Sequence, residues 1–547
     1  MKPRLPLRHP AAAMRHLALA ALIAGCGAYL QAQTAPTDAG RILRDEQARG
    51  LPVAPPSRAG VPLKIDEPTT GKVAPGGPRV LVKSFRFIGN SSIDSEMLRL
   101  ALVDAAGQEL DLAGLRALAD RITVIFRAEG HPFCQAFLPK QEVKDGVVAI
   151  EIVEGRYGKV AATGEQGVGE ALQGYLGALK SGGLIQEDDL QQTLLVMTEI
   201  PGVKISPVLS PGDTQGASDL NVVVSRDKAW QGSVKVDNHG GRYSGQYRAQ
   251  VAAERTGLFR VGDKVALNAM VTDESLLLGG AKYDFPLGFS GLRAHVGYSR
   301  TDYQLGAGYE GFTGLADAWT VGLGYPLRRS QKTNLTLSFE AEYKKLQDEH
   351  LGATYESRDA VLATAGLQFD TRDAVFGGGV TYGELKVAAG NISSNVATSI
   401  QGGFSKVNAQ VARLQNAGAG FVLYGSLSTQ VADRALNSSE SFSLGGATGV
   451  RSYPNGEAQG TGGLLAQFEL RYEVGAVTPY LFYDQGDIFA QDGQPSRSLG
   501  GVGLGARYRA GSLSAEAACA WKTNGGAATS DSKQQDPRLW LSMGYRY

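Results

Sequence analysis

From Trp230 to Tyr547 apolar and polar side chains alternate, and no other feature of this 547-residue sequence limits its fold so tightly. Trp230, Gly232, Val234 and Val236 alternate with Gln231, Ser233, Lys235 and Asp237. Leu335, Leu337, Phe339, Ala341 and Tyr343 alternate with Thr336, Ser338, Glu340, Glu342 and Lys344. Leu464, Ala466, Phe468, Leu470 and Tyr472 alternate with Leu465, Gln467, Glu469, Arg471 and Glu473. The last such run sets Leu539, Leu541, Met543, Tyr545 and Tyr547 on one face. A period of two marks a strand. Long strands with one apolar and one charged face suit lipid outside and water inside. In lipid an open sheet edge leaves backbone groups unpaired, so the strands must close on themselves. With strands of about ten residues, residues 228–547 predict a roughly 16-stranded transmembrane antiparallel β-barrel. A soluble β-sandwich would use shorter strands, typically about 5–6 residues.

Composition agrees with that reading. Glycine is abundant, at 72 residues, and no long apolar run follows the N-terminal segment, so no internal transmembrane helix is expected. Basic and acidic residues balance at 54 each, which argues against a nucleic-acid partner. The N-terminus reads as a secretory signal peptide over residues 1–33. Arg4, Arg8 and Arg15 precede the apolar stretch Leu17–Leu30, and small residues run up to Ala32. Ile23-Ala24-Gly25-Cys26 has the look of a lipoprotein signal, but the apolar stretch continues past Cys26. Cys134 and Cys519 would then remain, in different predicted domains, and are expected to be unpaired.

Two further regions precede the barrel. Asp38–Gly50, within residues 34–50, predicts a short polar helix capped by Asp38 and ended by Gly50. Residues 51–78 are rich in proline and glycine and predict an extended linker. Residues 79–155 then read as strand, helix, helix, strand, strand. The elements are Val80–Ile88, Asp94–Val103, a helix capped by Asp111, Cys134–Leu138 and Val147–Val153. Leu115, Leu118, Ile122, Ile125 and Phe126 form the apolar stripe of the second helix. The pattern recurs over 156–227, with a strand at Val160, helices at Gly169–Leu179 and Glu187–Ile200, and strands at Val203–Leu209 and Leu220–Val224. Two copies of one small α/β module in tandem are expected.

One segment between barrel strands breaks the alternation. Ser443–Glu457 is glycine-rich and carries Val450, Arg451, Ser452 and Tyr453. A later strand carries Phe482, Asp484 and Gly486. A loop folded into the lumen would let Arg451 pair with Asp484, because charges inside a barrel are tolerated when paired or hydrated. A surface loop is the alternative. In order along the chain, these motifs resemble a known family, the transporters of two-partner (type Vb) secretion. These are the haemolysin secretion/activation proteins of the ShlB/FhaC/HecB type, within the POTRA-plus-barrel superfamily. Val450-Arg451-Ser452-Tyr453 is similar to the family's VRGY/F motif, with Ser452 in place of the usual glycine. Phe482, Asp484 and Gly486 match its F-x-D-x-G motif. Asp237, Asn238 and Gly240 resemble its first-hairpin motif, and Tyr325-Pro326-Leu327-Arg328-Arg329 its YPL-x-R turn.

The resemblance implies an outer-membrane transporter with periplasmic POTRA modules and no energy source of its own. It would bind an unfolded partner exoprotein through those modules and pass it through the barrel. Neither catalysis nor a cofactor is expected. His131, His239, His295 and His350 are scattered, and no G-x-S-x-G elbow occurs. An outer-membrane protein assembly factor of the same superfamily is the competing function, and a diffusion porin, which would lack the modules, is the simplest alternative.

Overall fold

The computed structural model describes residues 37–47, 55, 64–65, 76–396, 400–490 and 495–547. The predicted signal peptide, with Cys26, lies outside them. So do residues 48–50, the end of the predicted polar helix.

The observed helix α1 is Ala39–Gln47, and the two-residue strand β1 is Lys64–Ile65. The first module contains β2 (Val80–Leu81), β3 (Ser84–Ile88), α2 (Ser95–Ala101), β4 (Glu109–Leu110), α3 (Leu112–Ala128), β5 (Gln135–Phe137) and β6 (Val147–Val153). Asp94 caps α2 by accepting from the Glu96 N–H at 2.7 Å, and Asp111 caps α3 through Gly114 at 2.8 Å. Leu115, Ala119, Ile122 and Phe126 bury one face of α3 against the sheet. Gly130, at φ +86°, lets the chain turn away. Val80–Ile88 is not one strand. After β2, which pairs with β4, the backbone switches partner: Val82 N–H donates to Gln108 and Lys83 N–H to Gly146. Only β3 joins the sheet, in the order β3-β6-β5.

The second module contains β7 (Arg156–Gly164), α4 (Val168–Leu172), α5 (Glu187–Thr198), β8 (Val203–Pro211) and β9 (Ala217–Arg226). The helix expected over Gly169–Leu179 is split, with a 3₁₀ turn over Gln173–Ala178. Gly174 and Gly177 lie in that turn, where glycine is a poor α-helix former. The predicted linker is also more than a spacer. Its Lys64 and Ile65 pair in parallel with Val208 and Leu209, so the second sheet runs β1-β8-β9-β7.

β9 leads into a closed barrel of sixteen strands. They are β10 (Trp230–Asp237), β11 (Arg248–Thr256), β12 (Lys264–Thr272), β13 (Leu277–Pro286), β14 (Arg293–Gln304), β15 (Phe312–Arg328), β16 (Thr333–His350), β17 (Ala353–Asp373), β18 (Gly379–Ser394), β19 (Gly402–Gly418) and β20 (Phe421–Ala432). The short pair β21 (Phe442–Ser443) and β22 (Gln459–Gly460) interrupts the series inside one connection. Then follow β23 (Gly463–Tyr472), β24 (Val477–Ile488), β25 (Arg497–Ala510), β26 (Leu513–Asn524) and β27 (Arg538–Arg546). The seam between β10 and β27 runs from Ser233↔Arg546 to Asp237↔Ser542. Leu539, Leu541, Met543 and Tyr545 point outward, as do Val234, Val236, Phe468 and Leu470. No helix among the described residues is long and apolar enough to cross a membrane.

The second module docks on the turns at one mouth. Tyr175 meets Phe289 edge-to-face at 5.5 Å, and Arg329 in the turn after β15 pairs with Glu199 at 2.9 Å. The connection between β20 and β23, residues 433–462, starts from the opposite mouth.

Candidate functional site in the barrel lumen

That connection folds inward, and its tip is buried. Leu444, Val450 and Tyr453 have no exposed surface and pack with Leu465, Ile488 and Leu499 of the wall. The tip is held open as a compact turn by its own backbone: Val450 N–H donates to Leu444 at 2.7 Å, Tyr453 N–H to Val450 at 3.0 Å, and Gly446 N–H to Tyr453 at 3.1 Å. Gly446 sits at φ +115°, a region open only to glycine without strain.

Arg451 is the point of attachment. Its Nε and Nη2 donate to the two oxygens of Asp484 at 2.8 and 2.7 Å, and its backbone N–H adds a third bond at 3.1 Å. Its Nη1 reaches Glu469 at 2.6 Å. The guanidinium lies 3.6 Å from the centre of the Phe482 ring. Its carbonyl accepts from the Trp540 indole at 2.7 Å. Glu469 also takes Arg471 at 2.7 Å and Arg507 at 2.9 Å, and Arg507 reaches Glu516 at 2.9 Å. Three arginines thus face three carboxylates, so the cluster, which is buried at Arg451, Asp484 and Glu469, carries no formal net charge. Fork-to-fork pairing fixes orientation as well as adding energy.

The other residues of the two motifs have steric tasks. A Cβ on Gly486 would lie 2.6 Å from the Leu444 side chain, so the glycine makes the seat for the loop. Ser452, fully buried, donates to the Gly500 carbonyl at 3.1 Å. A Cβ on Gly501 would come 2.3 Å from its hydroxyl, so that glycine makes room for the serine. Tyr453 donates to the carbonyls of Asn524 and Gly526 at 2.7 and 2.9 Å.

The first-hairpin residues lie elsewhere, at the barrel seam. Asn238 continues the pairing of β10 with β27: its side chain donates to Leu539 at 2.9 Å and accepts from the Leu541 N–H at 2.7 Å. Asp237 binds Arg248 at 2.7 Å, and Arg248 in turn binds Glu46 of α1 at 3.0 Å. Gly240 packs where a Cβ would touch the Gly245 carbonyl at 1.9 Å.

α1 lies inside the barrel. Ala39, Ile42 and Leu43 recur at helical spacing and pack against Met270, Leu278, Tyr303, Ala316 and Leu346. Asp38 accepts from Arg41 N–H at 2.8 Å and from Ser438 of the inward connection at 2.6 Å. Ala39 N–H donates to Asp348 at 2.8 Å. Arg41 donates to the Gly456 carbonyl. A Cβ on Gly40 would sit 2.5 Å from the Ser438 hydroxyl, so the helix and the connection interlock at that glycine. The lumen therefore holds two inserted elements that brace each other and the wall.

Glu469, Trp540 and the α1 contacts are functional candidates that motif reading passes over. Glu469 and Gln467 fall on the polar face of β23 by parity, but nothing in the sequence ties either to Arg451. Among the described residues no group of His, Cys, Asp or Glu could hold a metal ion. Cys134 is buried in the first module and Cys519 lies in β26, both as free thiols. Burial pushes the Cys134 thiol up to about 12, and the nearby Glu154 adds to the effect.

A closed barrel with α/β modules at one mouth and an arginine-clasped connection inside defines an outer-membrane transporter of the POTRA-plus-barrel class. A sequence model of the family described as haemolysin secretion/activation protein ShlB/FhaC/HecB matches residues 216–508, and one of the ShlB-type POTRA domain matches residues 80–155. The heme/hemopexin transporter protein HuxB of Haemophilus influenzae is 25% identical over 484 residues, covering 83% of this chain and 84% of the relative. The outer membrane transporter CdiB of Dickeya dadantii is 22% identical over 84% of this chain and 85% of its own. The solved structure of CdiB from Escherichia coli superimposes with a TM-score of 0.72 at 18% identity, covering all of both chains. The chain belongs to the haemolysin secretion/activation protein family and is an outer-membrane transporter of two-partner secretion, with its N-terminal modules in the periplasm.

Proposed function

We propose that this transporter recognises an unfolded partner exoprotein through its two periplasmic modules, residues 79–155 and 156–227, and passes it through the barrel of residues 228–547 to the cell surface. The observation that carries this reading is the lumen itself. It is filled by α1 and by the inward connection, both held by polar contacts and small packed stripes rather than by the continuous hydrogen bonding of the wall. Such inserts can move without opening the barrel. We assign α1 the role of a resting plug and the Arg451 clasp the role of fixing the connection against the wall.

The modules sit at the mouth where cargo arrives. Sheet edges bind extended chains by backbone pairing, which tolerates many sequences. The relatives are described as transporters, which supports transport as the role. The test is secretion in a heterologous host of an exoprotein whose gene lies beside that of the transporter. Protease-accessible exoprotein on cells carrying the intact transporter, and its retention in the periplasm when residues 79–227 are deleted from a barrel that still inserts, is the expected result. Surface exposure without those residues overturns the reading.

A further inference from the structure

Past Tyr453 the inward connection turns back at residues 454–457, where the Glu457 N–H donates to Pro454 at 3.3 Å. Three separate parts of the outer mouth converge on this turn. Arg41 of α1 donates to the Gly456 carbonyl. Asn455 donates to the carbonyl of His239, in the connection between β10 and β11. Glu457 holds the loop between β26 and β27, residues 525–537. Its carboxylate accepts from the Thr529 N–H at 2.9 and 3.0 Å, from the Ser530 N–H at 2.7 Å and from the Thr529 hydroxyl at 2.9 Å. Arg497 of β25 adds an ion pair. Glu457 has no exposed surface. A carboxylate so buried is costly unless it is paired and hydrogen-bonded, so the residue and the loop are held as one unit. Ala528, next to those donors, packs into the apolar cluster of Leu444, Val450 and Tyr453. Loop 525–537 contains no strand. It lies across the connection and is held there by these contacts rather than by the ladder of the wall.

We propose that Glu457 is a positioning residue of the export pore: it latches loop 525–537 over the outer mouth at rest, and exoprotein leaving through the lumen displaces that loop. The latch suits such a movement. Lifting the loop breaks no strand pairing, returns the Thr529 and Ser530 N–H groups to water, and leaves Glu457 its pairing with Arg497. Two arrangements of one loop on an unchanged wall are thereby available. Because the same turn carries Arg41 of α1, the loop and the lumen helix are fastened to neighbouring residues of one connection. The inference rests on the transport reading above, and adds to it what closes the exit and which residue holds it closed.

The test uses the full chain with Cys134→Ala and Cys519→Ala, adding Ala528→Cys as a reporter that is buried while the loop is down. Intact cells are treated with a membrane-impermeant maleimide. Glu457→Ala is expected to label at least fivefold faster than the chain with Glu457. Thr529→Pro, which removes a donor on the other side of the latch, should do the same. Glu457→Gln, which keeps one acceptor oxygen, should fall between. Heat-resistant migration in gels, kept by all three, separates a lifted loop from a damaged barrel. In a second arm, the chain with Glu457 should label at least fivefold faster while it exports its exoprotein than without it. Equal labelling of Glu457→Ala, Thr529→Pro and the unchanged latch overturns the proposal, and so does slow labelling during active export. If no form brings exoprotein to the surface, the transport reading is what has failed, and the first arm still decides whether Glu457 holds the loop.

Discussion

Arg451 grips Asp484 by three hydrogen bonds, two from its guanidinium at 2.8 and 2.7 Å and one from its own backbone N–H at 3.1 Å. The backbone bond means that side chain and loop position are set together. Removing the guanidinium leaves Asp484 and Glu469 buried without it, a loss of about 3–5 kcal/mol for a broken buried pair. The lipid-facing strands are untouched, so insertion should persist. Arg451→Ala should secrete at least tenfold less exoprotein at normal outer-membrane abundance. Arg451→Lys should recover little, because an ammonium cannot span both Asp484 and Glu469 with a planar fork. Asp484→Ala should match Arg451→Ala, and the double variant should be no worse than either, as for coupled residues. Secretion assays normalised to transporter abundance decide it; wild-type export by Arg451→Ala sinks the clasp.

The seat of α1 predicts a change in conductance. Leu43 is buried among Met270, Leu278 and Leu346, where truncation of a leucine costs about 2–5 kcal/mol. Leu43→Asp adds an unpaired charge to that loss. Gly40→Val should act from the other side, by driving the helix off Ser438. Both variants should raise the fraction of time the pore is open in planar bilayers. Conductance indistinguishable from wild type in both would remove α1 as a plug.

Arg329 couples module to barrel. Its side chain is buried and binds Glu199 at 2.9 and 3.0 Å, and Gln192 of the same helix spans to the Pro326 carbonyl at 3.4 Å. Arg329→Ala should broaden the distance distribution between spin labels on the second module and on the barrel rim, with the barrel still heat-resistant in gels. Glu199→Gln should broaden it less, since one carboxyl oxygen of the pair survives as an acceptor. An unchanged distribution in Arg329→Ala would show that the packing of Phe289 on Tyr175 suffices.

The barrel was legible because lipid imposes one rule on every strand: Leu539, Leu541, Met543 and Tyr545 must all face outward. The first module was legible from local signals such as the Asp111 cap, which works within a few residues, and the second from recurrence of the same element order. Arg451 and Asp484 were linked by motif order and by the parity of Asp484 with Phe482. Glu469 escaped, because its partnership with Arg451 depends on how far the loop descends, and no local pattern encodes that. The strand character of Lys64 and Ile65 escaped for a related reason: prolines on both sides read as linker, and the pairing exists only because the edge of β8 lies nearby. The break of Val80–Ile88 into two strands likewise follows from Gln108 and Gly146, distant in sequence.

The junction of the two modules should respond to acid through Glu154. Its carboxylate accepts from the N–H groups of Ser91 and Ser92 at 2.7 and 2.8 Å and from both hydroxyls, and Arg156 stands 3.5 Å away. Burial alone would raise its pKa, but these hydrogen bonds outweigh burial and hold it below the usual carboxylate range. A carboxyl whose folded pKa is depressed adds stability above its unfolded value, near ~4.3, and loses that stability as pH falls through the folded value. Glu154→Gln keeps the size but turns an N–H donor toward groups that are themselves donors. At about pH 7, where the wild-type carboxylate contributes fully, limited proteolysis of the full chain should cut Glu154→Gln faster at the module junction. The ratio of the two rates should approach one as the acid range is entered, because the wild-type group is then protonated as well. A ratio that stays constant from neutral to acid pH would mean that the Ser91–Ser92 turn is held by something other than the charge on Glu154.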